Sequence, residues 1–107
     1  MISSDAIRGY TDTMILYTVL DEPSYGYLIS KEINEICGTT YQLRETTLYS
    51  TLNRLERNGF LESFDGEVTY GKKRTYYRIT HAGLEHYRKK CTEWELIKDL
   101  IPNFIRN

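Results

Sequence analysis

The sequence predicts a mainly α-helical fold with one small β-hairpin. Three patterns lead to this prediction. Leu48, Leu52 and Leu55 recur at the spacing of one helix face. Residues 74–80 are rich in aromatic and β-branched side chains, the composition of a strand. Residues 81–100 carry an apolar stripe at helical spacing, which predicts a long C-terminal helix.

The leucine-striped helix is the element around which the other predictions are arranged. With about 100° between successive residues, its small polar and basic side chains fall on or near the face opposite the leucines. These side chains are Thr46, Ser50, Asn53, Arg54 and Arg57. Asn58-Gly59 ends the helix, because glycine readily adopts the left-handed conformation of a helix C-cap.

A hairpin follows this helix. Its strands are predicted over residues 60–64 and 74–80, with Asp65-Gly66 and Gly71 marking turns between them. A basic run lies toward the tip and consists of Lys72, Lys73 and Arg74. A polar-faced helix followed by a hairpin with a basic tip is typical of a winged helix-turn-helix. In that fold the helix enters the DNA major groove, and the cationic wing lies against phosphates.

Two further helices are expected before the leucine-striped helix, which we call the recognition helix. The first is predicted over residues 4–20, with Ser3 or Ser4 as its cap. The second is predicted over residues 25–37, with Ser24 as its cap. Its predicted buried stripe consists of Leu28, Ile29, Ile33 and Ile36.

Three single residues refine this arrangement. Gly26 is a poor helix former, and we expect it to permit close approach by a neighbouring helix. Gly38 is the stop signal of the second helix. Leu43, just before the recognition helix, is expected to pack back onto the core and fix the angle at which that helix begins.

The predicted C-terminal helix has more apolar surface than so small a domain can cover. Thr80 is its expected cap. Its stripe, close to a heptad pattern, consists of Leu84, Tyr87, Cys91, Trp94, Ile97 and Ile101. We expect a second copy of the chain to cover this stripe in a two-fold dimer, the alternative being that the helix folds back on its own core. The chain then divides into a winged helix-turn-helix DNA-binding domain (residues 1–80) and a dimerisation helix (residues 81–107), together one compact unit.

The charge of the chain is distributed unevenly. The 107 residues carry a net charge of −1 and suffice for one domain. Residues 44–90 hold ten Lys/Arg and six Asp/Glu, a balance of +4, so the remaining residues carry −5. Such asymmetry indicates an anion-binding half on a nearly neutral molecule, although a solvated charged surface would produce it too.

Other classes of function find little support in the sequence. Cys37 and Cys91 lack metal-ligand spacing even with His81 and His86 added, so no metal site, disulfide framework or cofactor is expected. We identify no catalytic residue, because no nucleophile–base pair, phosphate loop or paired carboxylates can be singled out. The N-terminus does not resemble a secretory signal, and no run of residues is long and apolar enough for a membrane span. A cytoplasmic location is the default expectation.

Three stretches of the sequence resemble the PadR family of bacterial transcriptional regulators, in its short form. Ile15-Leu16 leading through 23–27 (PSYGY) is similar to the family's apolar helix, turn and Gly-Tyr start. Residues 47–61 (TLYSTLNRLERNGFL) resemble its recognition helix and first wing strand. Residues 73–83 (KRTYYRITHAG) resemble its second wing strand and the start of its last helix. The wing tip departs from the family, because residues 68–70 precede Gly71 where members often have a Gly-Gly or Gly-Pro basic turn.

This resemblance implies a homodimeric winged-helix repressor that controls its own gene or a transporter, detoxification or stress gene. Short members can have an aromatic-lined cavity at the dimer interface that accepts planar, often cationic, organic compounds. The corresponding effector and dimer-interface residues here are Trp94, Tyr87, Cys91 and Ile97. Trp94 could stack on a flat ligand or serve only as an interface anchor.

The DNA contacts are assigned by side-chain chemistry. Thr46, Ser50 and Asn53 are the candidates for base edges. The candidates for phosphates are Tyr49, Arg54, Arg57, Lys72, Lys73 and Arg74. The first hypothesis is therefore a ligand-responsive repressor that binds operator duplex as a homodimer. The alternative is a winged-helix protein-interaction module that does not bind DNA.

Overall fold

The computed structural model of the chain describes residues 1–69 and 71–106, apart from the side chains of Glu67 and Thr69. Tyr70, at the predicted wing tip, and Asn107 lie outside the described residues. The described elements follow in the order α1 (Ser4–Ile7), a 3₁₀ helix (Arg8–Tyr10), α2 (Thr11–Thr18), β1 (Ser24–Tyr25), α3 (Gly26–Cys37), α4 (Glu45–Arg57), β2 (Leu61–Thr69), β3 (Lys72–Ile79), α5 (His81–Leu100) and a second 3₁₀ helix (Ile101–Phe104). The predicted fold class, mainly α with a winged helix-turn-helix and a long last helix, is confirmed.

Helix α4 ends where predicted and has the predicted buried face. Leu48, Leu52 and Leu55 are all buried, and together with Ile15 and Ile29 they form the centre of the core. At the end of the helix, Gly59 has φ +80°, and the Phe60 amide donates to the Leu55 carbonyl at 2.9 Å. This is the left-handed C-cap that the Asn58-Gly59 pair predicts.

The chain reaches α4 through a fixed connection. Gly38 ends α3 with φ +57°, as expected. The Leu43 side chain is buried in the core, which confirms its predicted packing. Its amide donates to Asn34 Oδ1 at 2.8 Å, so α3 holds the backbone one residue before the cap of α4. Together these contacts set the angle at which α4 begins.

The continuous first helix predicted over residues 4–20 is wrong, because the structure divides it. Ser3 caps α1 by accepting a hydrogen bond from the Ala6 amide, as one of the two alternatives predicted. A 3₁₀ turn centred on Gly9 then separates α1 from α2. Glycine is a poor helix former, so the helix is interrupted there. The apolar run that follows Gly9 predicts only α2 and does not extend the helix back to residue 4.

The predicted start of the second helix is also wrong. Ser24 does not cap it, because Ser24 and Tyr25 form the short strand β1, paired with Tyr77 and Tyr76 of β3. The helix begins at Gly26, with Tyr25 as an extended N-cap residue that makes no side-chain hydrogen bond to the helix. A two-residue strand is too short to produce a hydrophobic period.

The buried stripe predicted for α3 is half right. Ile29 and Ile33 are buried, whereas Leu28 and Ile36 are 42% and 65% exposed. Both exposed side chains remain on the outside of the described chain, because the helices packed against α3 cover only a narrow face of it.

The wing is longer than its sequence pattern indicated. The sheet has the order β1-β3-β2 and is antiparallel throughout. A bulge between Asp65 and Val68 interrupts the pairing of β2 with β3, so β2 continues beyond the predicted turn at Asp65-Gly66. Tyr77 is buried and Tyr76 half-buried, as expected for neighbours on opposite faces of a strand.

Helix α5 begins where predicted and packs against the rest of the chain from its first turn as far as Trp94, which meets the Tyr10 ring. Thr80 Oγ1 accepts from the Gly83 amide at 3.0 Å, which is the predicted cap. The same hydroxyl donates to the Gly59 carbonyl at 2.7 Å, so the start of α5 is bonded to the end of α4. Farther along, Leu96, Leu100 and Phe104 are exposed.

Candidate functional site

The outward face of α4 presents a row of polar side chains. Thr46, Ser50, Asn53 and Arg57 are exposed on the side opposite the buried leucines. The Ser50 hydroxyl donates to the Thr47 carbonyl one turn earlier, at 3.1 Å, so its oxygen still has acceptor capacity. An exposed helix face of short polar groups can approach base edges in a major groove without steric conflict.

Arg54 does not belong to this free surface. Its guanidinium makes two hydrogen bonds to the Asp12 carboxylate of α2, one of them from Nη1 to Oδ2 at 3.2 Å. Arg54, predicted as a phosphate contact, therefore already has a partner within the chain. A helical wheel shows which side chains lie opposite the leucines of α4. It cannot show that α2 places an acid beside that polar face.

Asp12 is the centre of a part-buried ionic cluster that the sequence reasoning missed. His86 Nε2 of α5 lies 3.1 Å from Asp12 Oδ2, on the carboxylate that also binds Arg54. Burial acts to raise the pKa of Asp12, but the hydrogen bonds from Arg54 and His86 outweigh burial and hold this pKa below its ordinary value. Asp12 stands in the first turn of α2, where an acid is common without any partner, so the sequence carried no signal for this contact.

Tyr49 joins α4 to the first turn of α3. A Cβ at Gly26 would lie 2.5 Å from the Tyr49 hydroxyl, so the glycine is what allows this side chain to cross over α3. The predicted close approach at Gly26 is confirmed. Tyr49 remains 42% exposed, with its hydroxyl close to Gly26 at the uncapped start of α3.

These groups line a small polar cleft between α3, α4 and the wing. The cleft has a volume of about 250 Å³ and is lined by Tyr25, Gly26, Tyr27, Tyr49, Lys73, Arg74, Thr75 and Tyr77. A helix N-terminus and cationic side chains together favour an anion. Tyr27 and the α3 N-terminus are thus candidate phosphate contacts that the sequence reasoning missed, although Gly26 between two tyrosines was a visible signal.

The basic run of the wing divides into two parts. Lys72 and Lys73 are exposed near the tip, and Lys73 Nζ lies 3.2 Å from Asp65 Oδ2 in a pair whose side chains are both 69% exposed. Such a pair stabilises the fold little, so Lys73 can exchange its partner for a phosphate. Arg74 instead lies over the Tyr25 ring at 5.1 Å, which holds its guanidinium beside the polar cleft and away from the tip.

A second candidate site lies at the other end of the molecule, beside Trp94. The Trp94 and Tyr10 rings meet edge to face, with centroids 5.4 Å apart and an interplanar angle of 88°. They line an open apolar cleft of about 650 Å³. We refer to this space as the Trp94 cleft; its lining residues are Ile2, Ala6, Ile7, Tyr10, Thr13, Met14, Cys91, Trp94 and Glu95.

The predicted effector residues are distributed over more than this cleft. Trp94 and Cys91 line it, whereas Tyr87 lines a neighbouring apolar groove of about 350 Å³ together with Tyr17 and Ile36. Burial, followed by a hydrogen bond with Cys91, raises the pKa of Tyr87 above its ordinary value. Ile97 lines neither space. The N-terminal side of the cleft, formed by α1 and the 3₁₀ turn after it, has no counterpart among the predicted effector residues.

Comparison with known proteins identifies the family. The model of the transcriptional regulator PadR-like family matches residues 15–89. A transcriptional regulator from Clostridium thermocellum is 51% identical, with a TM-score of 0.89 over 99% of this chain and 100% of its own. A PadR-family regulator from Clostridium difficile R20291 is 30% identical, with a TM-score of 0.77 over 89% of this chain and 97% of its own. The chain belongs to the PadR-like family of transcriptional regulators.

One structural relative of this PadR-like chain was solved with its DNA. Bacillus subtilis PadR, in complex with operator DNA, has a TM-score of 0.68 at 19% identity over 78% of this chain and 46% of its own, a likeness of fold alone. The family match, residues 15–89, includes α4, the wing and the polar cleft. It does not include Trp94 or the N-terminal wall of the Trp94 cleft.

The described part of the PadR-like chain also bears on the expectations about membrane spans and metal sites. None of its helices is long and apolar enough to cross a membrane. Across residues 1–69 and 71–106, no three His, Cys, Asp or Glu side chains come together as metal ligands would.

Proposed function

We propose that this PadR-like protein binds a specific operator duplex as a homodimer. The observation that carries the proposal is the outward face of α4, where Thr46, Ser50, Asn53 and Arg57 are exposed opposite a fully buried leucine stripe. Because its leucines are packed in the core, α4 can enter a major groove as a rigid element. The PadR of Bacillus subtilis, which shares the fold, was solved with operator DNA.

The side chains around that face supply two kinds of contact. Thr46, Ser50 and Asn53 are assigned to base edges, where hydrogen bonds read sequence. The phosphate contacts are assigned to Tyr49, Arg57, Lys72 and Lys73, with the uncapped start of α3 as an additional anion site. Arg74 supports the wall of the polar cleft. Arg54 is withdrawn from the set of contacts because Asp12 occupies its guanidinium.

The proposed homodimer follows from the second half of α5. Trp94, Leu96, Leu100 and Ile101 are each between 43% and 68% exposed, and the following Phe104 is 78% exposed. A second copy that pairs with this surface removes it from water, and we infer that the pairing leaves both α4 helices on one side of the dimer. The operator is then expected to have two-fold symmetry.

The proposal extends to a repressor that responds to a small molecule, as for a transporter, detoxification or stress gene. The Trp94 cleft supports this extension, because about 650 Å³ of apolar space with two aromatic rings suits a flat aromatic compound. Glu95 at its rim favours a cationic one.

Trp94 fluorescence tests the effector. A planar aromatic cation titrated into the dimer should quench it, because stacking brings the ligand within contact of the indole. Trp94→Phe should weaken binding of the same compound, measured by calorimetry, since it retains an apolar wall but offers a smaller ring. If a panel of such compounds leaves the fluorescence of a verified dimer unchanged, Trp94 is a packing residue and the effector proposal is wrong.

DNA binding is tested by a salt series. The protein should bind a duplex from its own promoter region with an affinity that falls steeply as salt rises, because phosphate contacts release counterions. Arg57→Ala should weaken binding and reduce the slope of log K against log salt by about 1. Arg8→Ala is the matched control, since Arg8 is an exposed arginine of the N-terminal segment and not of the proposed interface.

The salt series can also contradict DNA binding. Affinity that does not depend on salt, or no binding even at low salt, would contradict the DNA-binding proposal and favour a winged-helix module for a protein partner.

A further inference from the structure

Three helices meet at one carboxylate. Asp12 of α2 is only 8% exposed, and it binds Arg54 of α4 through both oxygens. Its Oδ2 also lies 3.1 Å from His86 Nε2 of α5. The His86 ring stacks on Phe60, with centroids 4.2 Å apart and an interplanar angle of 10°. We call Asp12, Arg54 and His86 the Asp12 cluster.

Net stability alone does not account for this cluster. The leucine stripe of α4 already anchors that helix in an apolar core, and a buried ion pair seldom stabilises more than well-packed apolar side chains would. Directional bonds offer something that apolar packing lacks, which is a fixed angle and register between the elements they join. The cluster joins the proposed DNA-contacting helix to the proposed dimerisation helix.

The position of the cluster also relates it to the Trp94 cleft. Thr13 and Met14, which directly follow Asp12 on α2, line that cleft. On α5, Cys91 and Trp94 lie five and eight residues beyond His86 and line it from the other side. Two of the helices that line the cleft, α2 and α5, therefore carry a member of the Asp12 cluster, and the third member is on α4.

We propose that Asp12 is a positioning residue for DNA binding, which fixes α4 relative to α5 and so sets the spacing of the two α4 helices in the dimer. The inference rests on the proposed function as a dimeric DNA-binding regulator. Through the same bonds, a displacement of α2 against α5 by a compound in the Trp94 cleft is transmitted to Arg54 and hence to α4.

The sign of one mutational effect separates this role from simple electrostatics. Asp12→Asn removes a negative charge near the proposed DNA interface and releases Arg54, so on charge alone it should strengthen DNA binding. If Asp12 positions α4, the same change should weaken operator binding by about three- to tenfold. The salt slope should stay at its wild-type value, because no phosphate contact is removed. Asp5→Asn is the matched control, since Asp5 pairs with Arg8, three residues away on the same segment.

A distance measurement provides the second readout. A spin label at Asn58→Cys, with Cys37 and Cys91 replaced by alanine, reports the spacing of the two α4 ends in the dimer. In Asp12→Asn the distance distribution should broaden or shift, whereas a role in stability alone would lower the melting temperature and leave the distribution of the folded dimer unchanged.

His86→Phe covers the case in which Asp12→Asn does not fold. It retains a ring to stack on Phe60 and the Asp12–Arg54 pair, and it removes only the bond from α5. It should broaden the distance distribution and weaken operator binding in the same direction.

Two results would overturn the inference. Tighter operator binding by Asp12→Asn is one, and an unchanged distance distribution in both folded variants is the other. Failure of the wild-type protein to bind any duplex would instead refute the proposed function, and the distance distributions would still decide the positioning role.

Discussion

At the level of single residues, Gly26 and Tyr49 show how one small side chain makes room for a large one. Tyr49 occupies the space that a Cβ of residue 26 would take, and this places its hydroxyl at the start of α3. The composition of the sequence showed only a poor helix former in a helix. Which side chain required the space was decided by the crossing of α4 over α3.

Arg54 and Arg57 illustrate the same distinction. Both lie on the polar side of α4 and have the same chemistry. Helix α2, however, places Asp12 against Arg54 and not against Arg57. One arginine is therefore part of an internal ionic cluster, and the other is free to meet a phosphate.

This difference predicts unequal effects on stability. Arg54→Ala should lower the free energy of unfolding by about 1–2 kcal/mol, because it leaves the Asp12 carboxylate buried with only His86. The loss should remain below that of a fully buried pair, since the Arg54 side chain is 42% exposed and solvent screens it. Arg57→Ala should change the same free energy by no more than about 0.5 kcal/mol.

Urea denaturation followed by circular dichroism measures both variants. Equal midpoints for Arg54→Ala and Arg57→Ala would show that the Asp12 cluster contributes nothing to the folded state in solution.

At the level of elements, the wing combines a fixed base with an exposed tip. Arg74 lies over the Tyr25 ring and Arg78 lies 4.5 Å over the Phe64 ring, so the aromatic side chains of the sheet hold two of its arginines. Lys72 and Lys73 lie closer to the tip and remain exposed. The two lysines are therefore the wing residues best placed to contribute sequence-independent affinity.

Replacing both lysines tests this division. The double variant Lys72→Ala, Lys73→Ala should weaken binding to operator and to unrelated duplex by similar factors, and it should reduce the salt slope by about 2. Lys31→Ala is the control, because it removes an exposed lysine from α3 near Glu32 and Glu35. A loss confined to the operator sequence would mean that the wing reads bases.

Helix α5 also differs along its length. Near its start, a Cβ at Gly83 would lie 2.1 Å from the Phe60 carbonyl oxygen, so the glycine lets this end lie against the base of the wing. Its second half carries exposed Leu96 and Leu100. The alternative that the helix folds back on its own core therefore fits the part of α5 up to Trp94, and the proposed dimer would cover Leu96 and Leu100 beyond it.

At the level of the whole molecule, dimerisation determines whether the two sites can communicate. Leu100→Glu places a charge in the proposed interface, where burying it unpaired is costly, so it should convert the dimer into a monomer of 12.7 kDa. Light scattering after size exclusion measures the mass. Operator affinity should fall in parallel, because each monomer can contact only one half-site.

Val68→Glu is the control for this experiment. Val68 is an apolar side chain of similar exposure, 66%, but it lies on the wing. Its variant should remain dimeric. Wild-type protein that already has the mass of one chain would contradict the proposed dimer.

The sequence by itself determined the elements whose causes are local. The leucine spacing of α4, the Asn58-Gly59 end, the Thr80 cap and the bounds of α5 all follow from helix periodicity and capping, which involve neighbours within about four residues. The family resemblance rests on the same stretches, and the match over residues 15–89 confirms it.

The tertiary structure alone decided everything that depends on distant partners. The pairing of Ser24 with Tyr77, the contact of Asp12 with Arg54 and the meeting of Tyr10 with Trp94 each join residues more than forty positions apart. The hydrophobic periodicity of a segment does not indicate such a pair, because each side chain fits the pattern of its own helix or strand whether or not the distant partner is present. The identities of the free and the occupied arginines on α4 therefore became visible only once the helices were packed.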